Sequence, residues 1–505
     1  MTAQAMPSLP PIESALAPTR HSPQLALFAI VLIAVGLRAI AFDPWSVIHV
    51  DEQMQYFERA NHLVTGYGIV TWEERYGIRN WIFPQILALP IWIGQQLAPG
   101  TLAAATAARC LCALAGLTTV FSAFAIARRQ SDQHGLVAAF AIAVWFQSVY
   151  FSISLLSENI ATAAILGAVA LAPVSDAPTR KFVLTGFLLG VGVLFRFPYA
   201  IFAGVVAIGM CRAEPRRWLW LAAGIAAASL LGMLSDLLAG QTPYLWLLQN
   251  IRYNIVEGRA QSFGMMSAWF YPLALIVNYG VGIACVLVLG ILCPARYRFL
   301  LLAAAADMFV HSLLSHKELR FVYLSTSTLV ILAAMTSVDL LNRIAPSSIK
   351  NGMLSRTAPF YLWLVLSATS WLAIREVAPI QRINVAGRLT HQVVRADDIC
   401  GIAVSDQFRF AITLANLGRN VPLYSESLRV SELTVPDPAR FPDTLAVAAN
   451  AIVASGDAAI PAPYRAVSCS GELEQKVCVF VRPGPCNPEH AAPYTLQNVL
   501  IASDL

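Results

Sequence analysis

Charge is scarce in this chain. Only 12% of its 505 residues are Asp, Glu, Lys or Arg, against 57% hydrophobic, and the mean hydropathy is +0.62. A soluble domain of that composition would leave far too much apolar surface in water. The composition therefore implies a polytopic α-helical membrane protein. Other absences narrow the function. No Gly-x-x-x-x-Gly-Lys phosphate loop occurs, which disfavours an ATP-driven pump. There is no Asp-x-Asp pair of the kind that holds a metal with a nucleotide diphosphate, and no Gly-x-Ser-x-Gly hydrolase elbow. No Cys/His spacing fits zinc, so no metal or other cofactor is expected. No basic face with interleaved aromatics appears, which argues against a nucleic-acid partner.

What the chain does have is a regular succession of apolar runs. They lie at 24–42, 102–127, 134–151, 157–173, 182–195, 199–211, 218–234, 273–293, 299–314, 322–340 and 359–374, about eleven crossings in all. Arg196-Phe197-Pro198 breaks one pair of runs into a hairpin. The run 82–97 is interrupted by Pro84 and Pro90 and reads as interfacial or re-entrant. Residues 1–23, rich in proline, read as a disordered cytoplasmic tail, held inside by Arg20 and His21. Basic residues at 128–129, 180–181, 212–217, 296–298 and 343–356 then fall on the inner face. The polar stretches 49–81, 235–272 and 316–321 fall outside. The expected organisation is a transmembrane catalytic body over 24–374, with outer loops at 43–101 and 235–272, followed by a small outer α/β domain over 375–505. Strands are expected at 401–404, 451–454 and 477–481, and a helix at 406–417. Cys469 and Cys478 flank a turn and form the best candidate disulfide in an oxidising compartment. Arg38 is either a snorkelling arginine or a cation facing a polar cavity.

The stretch from His49 to Pro84 concentrates chemistry beside a membrane span, where ionisable groups are costly and tend to be functional. It carries Asp51, Glu52, Glu58, Glu73 and Glu74 with Arg59, Arg75 and Arg79. Asp51 is expected to cap a helix running to about Val64, ended by Gly66 and Gly68. An acid pair, several cations at the same level and many aromatics suit one reaction. That reaction is transfer of a sugar from a lipid-linked phosphate donor to a hydroxyl acceptor. A carboxylate takes the acceptor's proton, and cations receive the lipid phosphate. Trp72, with its aromatic neighbours, would stack on a sugar or anchor at the interface.

The run His49-x-Asp51-Glu52-x-x-Gln55, then Tyr67-Gly68, Thr71-Trp72-Glu73, Ile78-Arg79 and Phe83-Pro84, resembles the first outer loop of the Alg9/PIG-B-like mannosyltransferases. These are polyprenyl-phosphate-mannose-dependent enzymes of GT-C fold. His316-Lys317-Glu318-x-Arg320-Phe321 resembles their second signature, and Asp236 with Pro243, Asn254 and Gly264 resembles the loop between. The family has proline where this chain has Val50, often a second acid where it has Leu319, and often an aromatic where it has Ala239. The resemblance implies an inverting, metal-independent hexosyltransferase making an α-mannosidic bond. Asp51 would be the general base and Glu52 would orient the acceptor. His316, Lys317 and Arg320 would bind the donor phosphate, with Arg79 and Arg196 as further candidates. His49, Gln55, Trp72, Glu73, Asp236 and Asn254 would contact substrate; Asp236 either binds the acceptor or caps its loop. The expected partners are a polyprenyl-phosphate-sugar donor, a glycan or glycolipid acceptor, and membrane lipids. Two rivals stand beside this reading: a GT-C transferase of another sugar, and a transporter or flippase of lipid-linked sugars. An excess of Arg over Lys and the Ala-rich spans suggest a bacterial inner membrane with a periplasmic site; an endoplasmic reticulum membrane with a lumenal site is the alternative.

Overall fold

The structure is a computed structural model. It describes residues 23–45, 47, 49–172, 178–344, 353–374, 377–396, 398–405, 408–425, 428–430, 433–435, 446–471, 476–489 and 491–504. The tail expected at 1–22 lies outside these residues.

Every long apolar run of the sequence falls on helix. Among the described residues, five helices are long and apolar enough to cross a membrane: Pro23–Ala41, Ala103–Arg128, Pro215–Leu238, Phe270–Ile291 and Leu319–Ile344. A sixth arises if Asp132–Val144 and Phe146–Ser152, bent by 60°, form one span. Ser157–Leu171 and Phe197–Cys211 are apolar but shorter. Thr179–Phe195, Arg298–Leu313 and Met353–Ala373 complete the body. The chain leaves helix at Arg196, as the Arg-Phe-Pro sequence implied, and resumes at Ala200. Ile82–Leu97, expected to be broken, is one helix that accommodates Pro90.

In lipid, helices gain little from burying apolar surface against each other, so close approach decides packing. Thr179–Phe195 and Pro215–Leu238 meet through glycines. A Cβ on Gly186 would lie 2.1 Å from the Leu221 carbonyl oxygen, and one on Gly224 would lie 2.0 Å from that of Val183. Tyr323–Ile344 is the axial helix. Every residue from Tyr323 to Val338 is buried, and the chain just before it carries Glu318 and Arg320. Arg38 does not snorkel. It is buried and donates to the carbonyls of Ala34, Ala143 and Ser148.

Beyond the body, seven short strands follow among the described residues: β1 (Ile402–Val404), β2 (Leu423–Ser425), β3 (Leu428–Val430), β4 (Leu433–Val435), β5 (Ala451–Ser455), β6 (Arg465–Ser470) and β7 (Val477–Val481). Five form a sheet in the order β2-β1-β5-β7-β6, and β3 pairs with β4. β1 is parallel to β2 and β5, with Val404 opposite Ser425 and Val453, while β7 is antiparallel to β5 and β6. The 406–417 helix is not formed as expected. Of its described residues, only Leu414–Leu417 are α-helical. A helix that the composition hid, Val377–Ala396, precedes the sheet. Cys469 pairs with Cys478, and Cys400 with Cys486. The core beneath this sheet includes Met54 and Ile69 from the first outer loop.

Candidate active site

The first outer loop enters helix at Val50 and stays helical to Thr65. Gly66, in the left-handed region, ends it. Residues Glu52–Phe57 are wound as π-helix, and all six are buried. A π-turn inserts a residue into the helical count and re-aims its neighbours, and it recurs at functional sites. Asp51 does not cap this helix as expected. It has helical φ and ψ and makes no side-chain cap bond. Its carboxylate points elsewhere, to Arg320.

Arg320 is the hub of the charge network. Its guanidinium pairs with Asp51, with Glu318 at 2.6 Å and with Glu158 at 3.2 Å. Glu158 also holds Arg196 at 3.3 Å. On the other side, Glu318 accepts from His49 Nε2 at 2.9 Å and from His316 Nε2 at 2.8 Å. His49 Nδ1 accepts from the Asp51 backbone N–H and lies 3.6 Å from the Asp51 carboxylate. Three acids at 51, 158 and 318 thus face arginines at 196 and 320 and two histidines, which keeps a half-enclosed site near neutrality. Burial pushes the Asp51 carboxyl up, but the Arg320 guanidinium and His49 outweigh it, and the group lies below the ordinary carboxylate value. Burial and Arg320 push His49 down, but Asp51 and Glu318 prevail, and it lies above the ordinary imidazole value. Burial, and then the charge on Asp51, raise Glu73.

Asp51 opens onto a cavity of about 460 Å³, within the usual range for small-molecule sites. His49, Gln55, Trp72, Glu73, Arg79, Arg196, Asn254, His316 and Arg320 also line it. Residues from five separate stretches of chain therefore converge. Gln55 donates to Glu73 at 2.7 Å. Trp72 stacks on Phe263, ring centres 5.9 Å apart. Arg79 makes no ion pair or hydrogen bond among the described residues, and its Nε is buried without a partner. A second cavity, about 360 Å³, lies behind the same wall. His49, Glu318 and Arg320 face both, and Phe146, Phe151, Phe270, Tyr279 and Lys317 line the second alone.

Three expected site residues stand elsewhere. Glu52 does not line the cavity. It is fully buried, paired with Arg109 at 2.9 Å, and accepts from the backbone of Leu155 and of His49. Lys317 faces the second cavity rather than the first, and its ammonium group is occupied by the carbonyls of Met266 and Leu314. Among the described residues it pairs with no acid, whereas its neighbour Glu318 meets Arg320 and two histidines, His49 and His316. Asp236 accepts from the Tyr244 backbone and lines a separate, smaller cavity. The sequence reading gave no site role to Glu318, Asn250 or Phe263. Glu318 stood in plain view within the His-Lys-Glu-x-Arg-Phe run; Asn250 and Phe263 carried no signal beyond lying in an outer loop.

The helical body, with an α/β domain packed on the acidic loop that carries Asp51, has the fold of the GT-C membrane glycosyltransferases. ArnT from Cupriavidus metallidurans shares this fold. Its crystal structure bound to undecaprenyl phosphate superposes with a TM-score of 0.59 at 12% identity, covering 91% of this chain and 98% of that one. Its apo structure gives 0.57 at 14%, with the same coverage. The chain belongs to the Alg9-like mannosyltransferase family, whose model matches residues 27–384. It is also similar to human GPI alpha-1,2-mannosyltransferase 3, at 25% identity over 301 residues, 54% of this chain. That alignment covers 50% of the human protein, so the chain spans about half the length of the curated relative it matches.

Proposed function

We propose that this chain is an integral membrane glycosyltransferase that moves mannose from a polyprenyl-phosphate donor to a hydroxyl acceptor with inversion. The observation that carries the reading is the position of Asp51. It is an ionised carboxylate on the wall of the larger cavity, oriented through one oxygen by Arg320. In the reaction, the acceptor oxygen bonds to the anomeric carbon, the bond from that carbon to the phosphate oxygen breaks, and Asp51 takes the hydroxyl proton. A carboxylate paired with arginine is a weak base. That is adequate here, because the acceptor proton becomes acidic only as its oxygen attacks.

The two cavities behind one wall support entry of the substrates from opposite sides. The aromatic side chains of the second cavity, Phe146, Phe151, Phe270 and Tyr279, suit a lipid chain. Its phosphate would lie against Lys317, His316 and Arg320, whose N–H groups match phosphate oxygens. The polar side chains of the first cavity, Gln55, Glu73, Asn250 and Asn254, suit a hydroxyl-rich acceptor. Arg79 and Arg196 then belong to the acceptor side. The paired cysteines of the outer domain, which packs on the Asp51 loop, support an oxidising compartment. A bacterial inner membrane with a periplasmic site and eleven crossings remains the proposed setting.

The test is Asp51→Asn in membranes supplied with labelled polyprenyl-phosphate mannose. Transfer falls by about 10²–10⁴-fold while donor binding is kept. Undiminished transfer would refute the assignment. Lipid translocation with no glycosidic product in either form would replace it with transport.

A further inference from the structure

A carboxylate that takes a proton in every turnover must also give it up. The two oxygens of Asp51 have different neighbours. Oδ2 accepts from Arg320 Nη2. Oδ1 lies 3.6 Å from His49 Nδ1. The His49 ring is fixed at both nitrogens. Nε2 lies 2.9 Å from Glu318 Oε2, and Nδ1 accepts from the Asp51 backbone N–H at 3.2 Å. For the neutral ring, that pattern selects the tautomer with hydrogen on Nε2 and a lone pair on Nδ1, turned toward Asp51. The 3.6 Å gap is longer than a hydrogen bond, and a shift of about 0.5 Å closes it.

The surroundings favour movement of a proton from Asp51 to His49. Glu318, itself held by Arg320 and His316, places a negative charge behind the ring, where it stabilises an imidazolium. Asp51 lies below the ordinary carboxylate value and His49 above the ordinary imidazole value, so a proton on Asp51 runs downhill to the ring. The ring also has an exit. The His49 side chain is 30% exposed and borders both cavities.

We infer that His49, backed by Glu318, is the proton carrier that clears Asp51 in each turnover. The inference rests on the glycosyltransferase reading and deepens it by following the proton. The acceptor oxygen bonds to the anomeric carbon. The bond from that carbon to the phosphate oxygen breaks, and its electron pair stays on the phosphate. The hydroxyl proton moves to Asp51 Oδ1, then to His49 Nδ1, and leaves the imidazolium for water. The weak basicity of an arginine-paired carboxylate is offset, because the proton does not stay on it.

The test uses the full chain in nanodiscs, labelled polyprenyl-phosphate mannose, and as acceptor the glycolipid fraction of a strain that lacks this chain. Asp51 and Glu52 from its own stretch and Glu318 and Arg320 from the second signature are the charged groups that face His49; Lys317 and Tyr150 border the second cavity with it. At saturating donor, the wild-type rate rises with pH as His49 becomes neutral and able to accept. Glutamine donates and accepts at the two ends of its amide but carries no proton. His49→Gln therefore lowers the rate by about 100-fold and removes this rise, with the donor KM and the melting temperature unchanged. His49→Ala falls likewise, and added imidazole restores it in proportion to the neutral base. A His49→Gln enzyme with the wild-type rate and pH profile would overturn the inference, because the ring would then only position its neighbours. So would a His49→Ala enzyme that imidazole leaves unchanged. A wild type that forms no glycosidic bond would remove the transferase reading itself. Transfer that Asp51→Asn abolishes and His49→Gln spares would remove the proton carrier alone.

Discussion

Two neighbouring acids show how a single residue step separates a cavity wall from the scaffold behind it. Asp51 reaches the cavity and Arg320. Glu52, about 100° further round the helix, is sealed inside against Arg109. Removing one partner of a buried ion pair leaves the other uncompensated, at a cost of about 3–5 kcal/mol. Glu52→Gln should therefore lower the melting temperature in detergent, with transfer falling only in proportion to folded protein. Asp51→Asn should leave the melting temperature close to wild type and lower transfer by about 10²–10⁴-fold. Equal melting temperatures for the two variants would contradict this division. The place of Asp51 at a polar cavity was legible from sequence, because an acid beside a span is costly unless it finds polar surroundings. The fate of Glu52 was not, because its partner lies 57 residues away. The surroundings of Lys317 were hidden for a similar reason: the carbonyls that its ammonium group meets, at Leu314 and Met266, are supplied by the folded backbone and leave no mark in the pattern of side chains.

At the scale of elements, hydrocarbon makes spans legible, since every apolar run must satisfy its own backbone. The π-turn at Glu52–Phe57 had no such signal; its buried Gln53 and Gln55 find partners only in the assembled fold. The helix Val377–Ala396 mixes apolar residues with Arg, Gln and Asn, and so read as neither span nor strand. The stretch before Leu414 looked helical, yet the described chain turns through it. Glu58 ties the outer helix to the domain above it. Its carboxylate accepts from Ile69 N–H at 2.8 Å and from Ala415 N–H at 2.7 Å. Burial pushes its carboxyl up to about 7 from 4.5, against the pull of those two amides. The folded state thus holds a proton that the unfolded chain has released, so stability is full below about pH 4.5 and is lost as pH rises through about 7. The change corresponds to about 3 kcal/mol. Protease resistance of the outer domain should fall between pH 5 and pH 8, and Glu58→Gln should flatten that dependence. A wild-type profile that is already flat would remove Glu58 from this role.

For the whole molecule, the fold class could be read from composition and the alternation of basic and polar loops, while the number of crossings could not. Length and apolarity qualify five or six helices among the described residues, and the shorter ones depend on burial by neighbours rather than on their own hydropathy. Sidedness is open to a direct measurement. Ser262→Cys, on the exposed loop over the site, should react with a membrane-impermeant maleimide in cells whose inner membrane is intact. Arg216→Cys should react only after permeabilisation. The opposite pattern would invert the proposed topology. The shared core beneath the sheet has a further consequence. Because Met54 and Ile69 sit within it, the two halves of the chain are not interchangeable modules. Grafting the outer half onto another member of the family would import a socket without its plugs, so a working chimera must carry the first loop along with it.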